Sequence, residues 1–317
     1  MKKIIPILLL LFGVFTFMSA QTPKVVFVVA DWHKGDQMEY NVKKTKAKNG
    51  VEETLWSNLA LQVVDSTEEY YRIKATYSGR EMFGYAMLAD SLKKVVDDLL
   101  LDVDTVVTLY YRTDLTGTFL EIEDAQGILN QGLLVAEKML QGTGMDDNTL
   151  RQAVQMMREM YTEDMVATKF FPEIALLHSR LGYMYSMKKP SKFVTSFSSP
   201  FGEILGRGVT TVTAYDPDSS FCRIETVSTM DQKQLKKAVK TLLDRVAAMT
   251  GNALPKKMFN SVKIDMSDVT IYECTIEPAT PTRVEYTRTV KVDAPDGSVD
   301  QLEQYVITQK KGCLILD

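Results

Sequence analysis

Histidine is nearly absent from this chain of 317 residues, which holds two, His33 and His178. A Ser-His-Asp hydrolase needs one of them beside its nucleophile. No Gly-x-Ser-x-Gly elbow is present to supply that nucleophile, and no His-Glu-x-x-His to hold a zinc ion. Cysteine is equally sparse, with Cys222, Cys274 and Cys313 only. Three thiols do not make a disulfide framework, and a chain of this length buries enough surface to fold without one. Positive charge is not in excess: 37 Lys and Arg stand against 41 Asp and Glu, a formal charge of −4. Nucleic acid is therefore not an expected partner, because its binding depends on neutralising phosphates. After residue 20 no long apolar run occurs, so no membrane-spanning helix is expected.

The remaining short motifs carry little chemistry. Ser91-Leu92-Lys93-Lys94 and Ser186-Met187-Lys188-Lys189 match Ser-x-x-Lys but lack the companion Ser-Asp-Asn and Lys-Thr-Gly. Asp216-Pro217-Asp218-Ser219-Ser220 begins like a calcium loop, yet Phe221 stands where the tight-turn glycine belongs and Val227 where the bidentate glutamate belongs. We read it as a turn. Gly142-Thr143-Gly144 and Gly206-Arg207-Gly208 lack the third glycine of a dinucleotide site. The expectation is a protein that is not an enzyme, with no catalytic residues, no metal site and no cofactor.

What is present begins at the N-terminus. Met1-Lys2-Lys3 is basic, Ile4 to Met18 is an apolar run, and Ser19-Ala20-Gln21 offers small residues near a cut. This order predicts a signal peptide over residues 1–20, and the run of about 15 residues falls short of the ~20 that span a bilayer. Met18 stands where a small residue is preferred, so the cut is placed only as near Gln21. No cysteine follows to take a lipid anchor. We expect an exported protein, periplasmic or extracellular, whose loss of Lys2 and Lys3 takes the charge from −4 to −6.

Beyond the leader the hydrophobic period alternates between two and 3.6. Lys24 to Val29, the set Met38, Tyr40 and Val42, the stretch after Asn49-Gly50, and Tyr70 to Tyr77 read as strands joined by turns. Met82 to Leu88 reads as another strand, and Asp90 or Ser91 caps a short helix to Leu101. A hairpin follows around Asp114-Leu115-Thr116-Gly117. From 124 to 187 the chain is rich in helix formers, with Leu150, Val154, Met157 and Tyr161 on one face after a cap at Asp146 or Asp147. Glu173 to Met184 reads as a further helix, and Pro190 closes the block. Strands return at Phe193 to Phe197, Val209 to Ala214 and Cys222 to Val227. Cys222 and Cys274 both lie in strand-like runs, as buried thiols or, less expected, a cross-strand disulfide. Thr229 and Gln232 read as a capping box for a helix striped by Leu235, Val239, Leu242 and Val246 and ended by Gly251 and Pro255. Its Lys233, Lys236, Lys237, Lys240 and Arg245 read as a solvated face. The last strands are Val269 to Ile276, Val284 to Val292 and Leu302 to Thr308. No linker interrupts this, so we expect residues 21–317 to form one α+β domain: a large curved antiparallel sheet packed against a central helical block at about 124–190.

Eight of the seventeen methionines lie between Met139 and Met187. Methionine is flexible and polarizable and suits surfaces that accept varied apolar shapes. Met139, Met156, Met157, Met160, Met165 and Phe170 are the candidate lining of a cavity for an acyl chain or similar apolar ligand. The competing reading is that they fill the core. A protein partner is not readable from the sequence.

Trp32-x-x-Gly35-Asp36-x-x-x-Tyr40, the short helix at 90–101, and Tyr111-Arg112-Thr113-Asp114-Leu115-Thr116-Gly117 before Leu120-Glu121-Ile122 carry a resemblance. Together they resemble uncharacterised exported bacterial proteins classed as a domain of unknown function. Their overall plan is similar to that of the lipoprotein-carrier half-barrels. The resemblance implies an antiparallel sheet wrapped around helices and an apolar cavity between them, and it implies no catalytic residues. The alternative it leaves open is a structural or interaction module of the cell envelope with no ligand.

Overall fold

A computed structural model describes residues 25–83, 106–144, 146–199, 202–250, 262–294 and 297–310. The leader, the expected helix at 90–101, Gly251 and Pro255, and Cys313 lie outside them.

Eleven strands form one continuous antiparallel sheet. In chain order the N-terminal strands are β2 (Gln37–Lys48), β3 (Val51–Ser66), β4 (Tyr70–Phe83), β5 (Val107–Asp114) and β6 (Phe119–Ile122). The C-terminal strands are β8 (Ser191–Ser199), β9 (Gly202–Asp216), β10 (Phe221–Met230), β11 (Lys263–Thr275), β12 (Pro281–Ala294) and β13 (Gly297–Gln309). Their spatial order is β6-β5-β4-β3-β2-β13-β12-β11-β10-β9-β8. Two meanders thus meet where β13 pairs with β2, Ile307 opposite Val42 and Tyr305 opposite Lys44. Among the described residues the sheet does not close, since β6 and β8 are its two edges. The α+β plan is the one the hydrophobic period predicts, and the open sheet is consistent with the half-barrel that the resemblance implies.

Local chemistry explains the turns. Asn49 and Gly50 both take positive φ (50° and 82°), the geometry of a tight hairpin that matches strand twist. Asp114 Oδ1 accepts from the backbone N–H groups of Thr116 and Thr118, closing the β5–β6 turn. Asp216 accepts from the backbone of Asp218 and the hydroxyl of Ser219 between β9 and β10.

The helical block lies between β6 and the return of the chain. It contains α1 (Ala125–Gln141), α2 (Asp147–Met160), a 3-10 turn at Glu163–Met165, α3 (Val166–Lys169) and α4 (Pro172–His178). Asp146 caps α2 by accepting from Asn148 and Thr149, as expected. The block ends earlier than the expected Pro190. Gly182 takes φ +83°, and Tyr183–Ser186 is strand β7 rather than helix. It pairs with β1 (Val25–Val28) in a separate two-stranded sheet, because Tyr and Val favour a strand once a partner edge is available.

A last helix, α5 (Gln232–Thr250), follows β10. Its cap is not the expected Thr229–Gln232 box. Asp231 caps it, accepting from Lys233 and Gln234, while the Gln232 amide donates to Asp265 on β11. Leu235 and Ala238 of α5 pack with Ile204 and Ile264 in a small second core, and Lys233, Lys237 and Lys240 point to solvent.

The main core lies between the sheet and the helical block. Leu129 and Leu133 of α1, Val166 and Ala167 of α3, and Ile174 and Leu177 of α4 pack on Tyr40, Val42, Leu59, Ile73, Tyr111, Tyr272, Val284 and Ile307. The Tyr272 hydroxyl donates to the Leu177 carbonyl at 2.6 Å, tying α4 to the sheet. Cys222 and Cys274 face each other across β10 and β11 as buried free thiols.

Candidate functional site

Side chains on a strand alternate between faces, so the register places the inner-facing residues of β2, β13, β12, β11 and β10 in rows. One row is Val42, Ile307, Val284, Tyr272 and Ile224. Each is at most 1% exposed. The next row, two residues along every strand, is Lys44, Tyr305, Tyr286, Thr270 and Thr226. Beyond it come Lys46, Glu303, Arg288, Asp268 and Ser228. A polar band therefore crosses the inner face between the two cores.

Above this band lies a cleft of about 860 Å³, within the roughly 300–1,000 Å³ of small-ligand sites. Its floor is Lys44, Lys46, Glu303, Tyr305, Tyr286, Arg288 and Asp268. The helical side contributes Leu133, Ala136, Met157, Met165, Phe170 and Leu176, and the far wall Ile204, Met230, Leu235 and Met266. Gly132 of α1 lets this wall close: a Cβ there would meet the Phe170 ring at 2.4 Å.

The floor is internally paired. Arg288 donates from Nε and Nη2 to both Asp268 oxygens, at 2.8 and 2.7 Å. Burial works against the Arg288 charge, but the paired bonds from Asp268 and the polar groups around it outweigh that and raise its pKa. Lys44 and Lys46 share Glu303, at 3.6 and 3.9 Å, and Lys44 also lies 4.7 Å from the Tyr305 ring centroid, a cation–π contact. Burial, then the neighbouring Lys46, pulls the Lys44 pKa below its ordinary value. The Tyr286 and Tyr305 phenols are pushed up by burial.

Of the six residues expected to line a cavity, Met157, Met165 and Phe170 do so. Met139 and Met156 are half-buried on α1 and α2 but are not among the lining residues. Met160 ends α2, and its side chain lies outside the described part. The floor residues were not anticipated. Their signal was nonetheless present: on β2, β13, β12 and β11 the inward period-two set turns from apolar to charged within four residues. Only the register shows that the four turning points coincide.

His178 is buried, at 3% exposure. Its Nδ1 is 2.8 Å from the Gly117 carbonyl and must carry the proton, so Nε2, 2.8 Å away, accepts from the Tyr111 hydroxyl. Trp32 packs against the same ring edge-on, with centroids 5.8 Å apart. Burial pulls the His178 pKa down to about 4, so the ring is a neutral structural bridge. His33 is exposed in the turn before β2. Among the described residues no group of three or more His, Cys, Asp or Glu could hold a metal ion, and no helix is long and apolar enough to cross a membrane.

No protein-family model matches the chain, and no curated protein matches it. Lipovitellin, in a solved structure described for its lipid–protein interactions, overlays with a TM-score of 0.39 at 10% identity. The overlay covers 88% of this chain and 25% of that one, so this chain spans about a quarter of its length. A likeness at that score carries no argument about ligand.

Proposed function

We propose that this protein is exported and works without catalysis, holding the apolar chain of a lipid-like ligand in the cleft between sheet and helices. The observation that carries this is the cleft itself, about 860 Å³ with an apolar wall that includes Met157, Met165 and Phe170. Methionine and phenylalanine there suit a chain that must be gripped without a fixed shape. Export rests on the basic, apolar and small-residue order of positions 1–21. The reading of no catalysis is supported by His178, whose two ring nitrogens are both engaged in holding the fold.

A second reading draws on a different surface. On the two-stranded sheet Phe27, Tyr183 and Met184 are 59%, 53% and 58% exposed, with Phe27 opposite Met184. Exposed apolar clusters mark interaction sites, which favours an envelope interaction module.

Native mass spectrometry of the protein purified without detergent, followed by organic extraction, separates the two. A reproducible lipid mass on the folded protein is the expected result. A bare polypeptide mass that stays unchanged after incubation with envelope lipids overturns the ligand reading and leaves the interaction surface.

A further inference from the structure

Resting on that reading, the chemistry of the cleft narrows the ligand. Its two sides are unlike: helical side chains give a hydrocarbon wall, while the sheet presents Lys44, Lys46, Glu303, Arg288 and Asp268. A wholly apolar guest would cover these groups and return no hydrogen bonds, and burying charge without compensation is costly. The occupant therefore has a polar end over the sheet and an apolar end against α1–α3.

The charge pattern selects the sign of that end. Four cations line the cleft, Lys44, Lys46, Lys169 and Arg288, against three carboxylates, Asp164, Asp268 and Glu303. Arg288 is taken by both oxygens of Asp268. One carboxylate, Glu303, serves both Lys44 and Lys46. Asp164 accepts from the Thr162 hydroxyl. Lys169, at the exposed end of α3, has no ion pair with any of the described residues. Burial, then Arg288, lowers its pKa and Glu303 raises it; Glu303 also acts on Lys44, and both lysines line the one cleft. Glu173 is buried outside the cleft lining; burial raises its pKa, and it acts on the Lys44 charge from there. An incoming anion would supply the counter-charge that Lys169 lacks and that Lys44 has only in common with Lys46.

We infer that the cleft binds a single-chain amphiphile ending in an anionic group, a carboxylate or a phosphate, with the chain against Met157, Met165 and Phe170 and the head between Lys44 and Lys169. A bidentate site would use Arg288, but that fork is already filled. Point-charge recognition by lysines accepts either anion. The head group thus fixes orientation, and the wall supplies most of the affinity through chain burial.

Isothermal titration of the mature protein with dodecanoate, dodecyl phosphate, dodecanol and dodecyltrimethylammonium tests this. The expected result is that one or both anions bind at least about tenfold tighter than the alcohol, with the cation weakest. The relative affinity of the two anions separates a fatty-acid source from a phospholipid source. In Lys169→Gln, which changes an exposed side chain, the anion-over-alcohol preference should fall severalfold, and further in Lys44→Gln/Lys169→Gln. Circular dichroism checks that both variants keep the fold. Equal binding of alcohol and anions, or a preference that survives the double variant, overturns the head-group assignment while leaving the cleft as a chain site. Failure of all four probes to bind overturns the proposed function as well.

Discussion

Val42 and Lys44 stand two residues apart on one strand and face the same side of the sheet, yet one is sealed in the core and the other lines a cleft. The difference repeats on the neighbouring strands, with Ile307 and Tyr305 on β13 and Val284 and Tyr286 on β12. A step of two residues is roughly 7 Å along a strand. Over that distance the helical covering changes. At the first row α4 is in contact, its Leu177 carbonyl taking the Tyr272 hydroxyl. At the second, α1–α3 stand off and leave the cleft. Alternation selects which face a residue occupies, and the covering layer selects what that face can be made of. Where the layer touches, only apolar side chains avoid the cost of burial. Where it does not, charged side chains persist if they pair with one another.

The largest effect should come from the dry row. Ile307→Ala removes a fully buried side chain and should cost about 2–5 kcal/mol in urea unfolding. A loss under about 1 kcal/mol would mean that the dry row is not close-packed, and the comparison would fail.

Next is the buried histidine at the dry end. Its folded pKa of about 4 lies below the 6.5 of an unfolded histidine, so between those values the unfolded chain binds the extra proton. Stability is complete above about pH 6.5 and falls as pH drops toward 4, by about 3 kcal/mol in all. The midpoint of urea unfolding against pH should show this slope, and His178→Gln should flatten it. A His178→Gln profile that is parallel to wild type would show the ring titrating freely.

The wet band should be less sensitive. Asp268→Asn keeps the shape but discharges the partner of Arg288, and should cost about 1–3 kcal/mol. Raised salt should shrink the difference between wild type and variant only weakly, because Asp268 is 9% exposed and Arg288 23%. A strong salt dependence would place this pair in open solvent.

Smallest is the cleft wall. Met157→Ala should cost under about 1 kcal/mol, because its half-buried side chain already faces open volume. A cost like that of Ile307→Ala would mean the cleft is packed shut.

Much of this was legible before the structure. Asn49-Gly50, Asp114 to Gly117 and Asp216 to Asp218 turn where their side-chain and φ preferences require, and Asp146 caps α2. The misreadings share a cause. Tyr183 to Ser186 has a pattern short enough for helix or strand, and the free edge of β1 decided it. Thr229 and Gln232 have the spacing of a capping box, but Asp231 is the residue that reaches the first free N–H groups of α5. Of the six residues expected to line a cavity only Met157, Met165 and Phe170 face the cleft, because helical period says which residues share a face and not how far that face stands from a sheet. Lys44, Arg288, Glu303 and Asp268 went unread because they lie up to 259 positions apart and meet only through the register.

The sequence by itself determined the period of each segment, the turns between them and therefore an antiparallel sheet with a helical block, since these depend on contacts a few residues long. Tertiary structure alone decided that β2 pairs with β13, that two cores flank one polar band, and that three of the expected residues share a cleft with charges from four strands. Strand register and the height of the covering helices set those distances, and both arise from pairings between residues far apart in the chain.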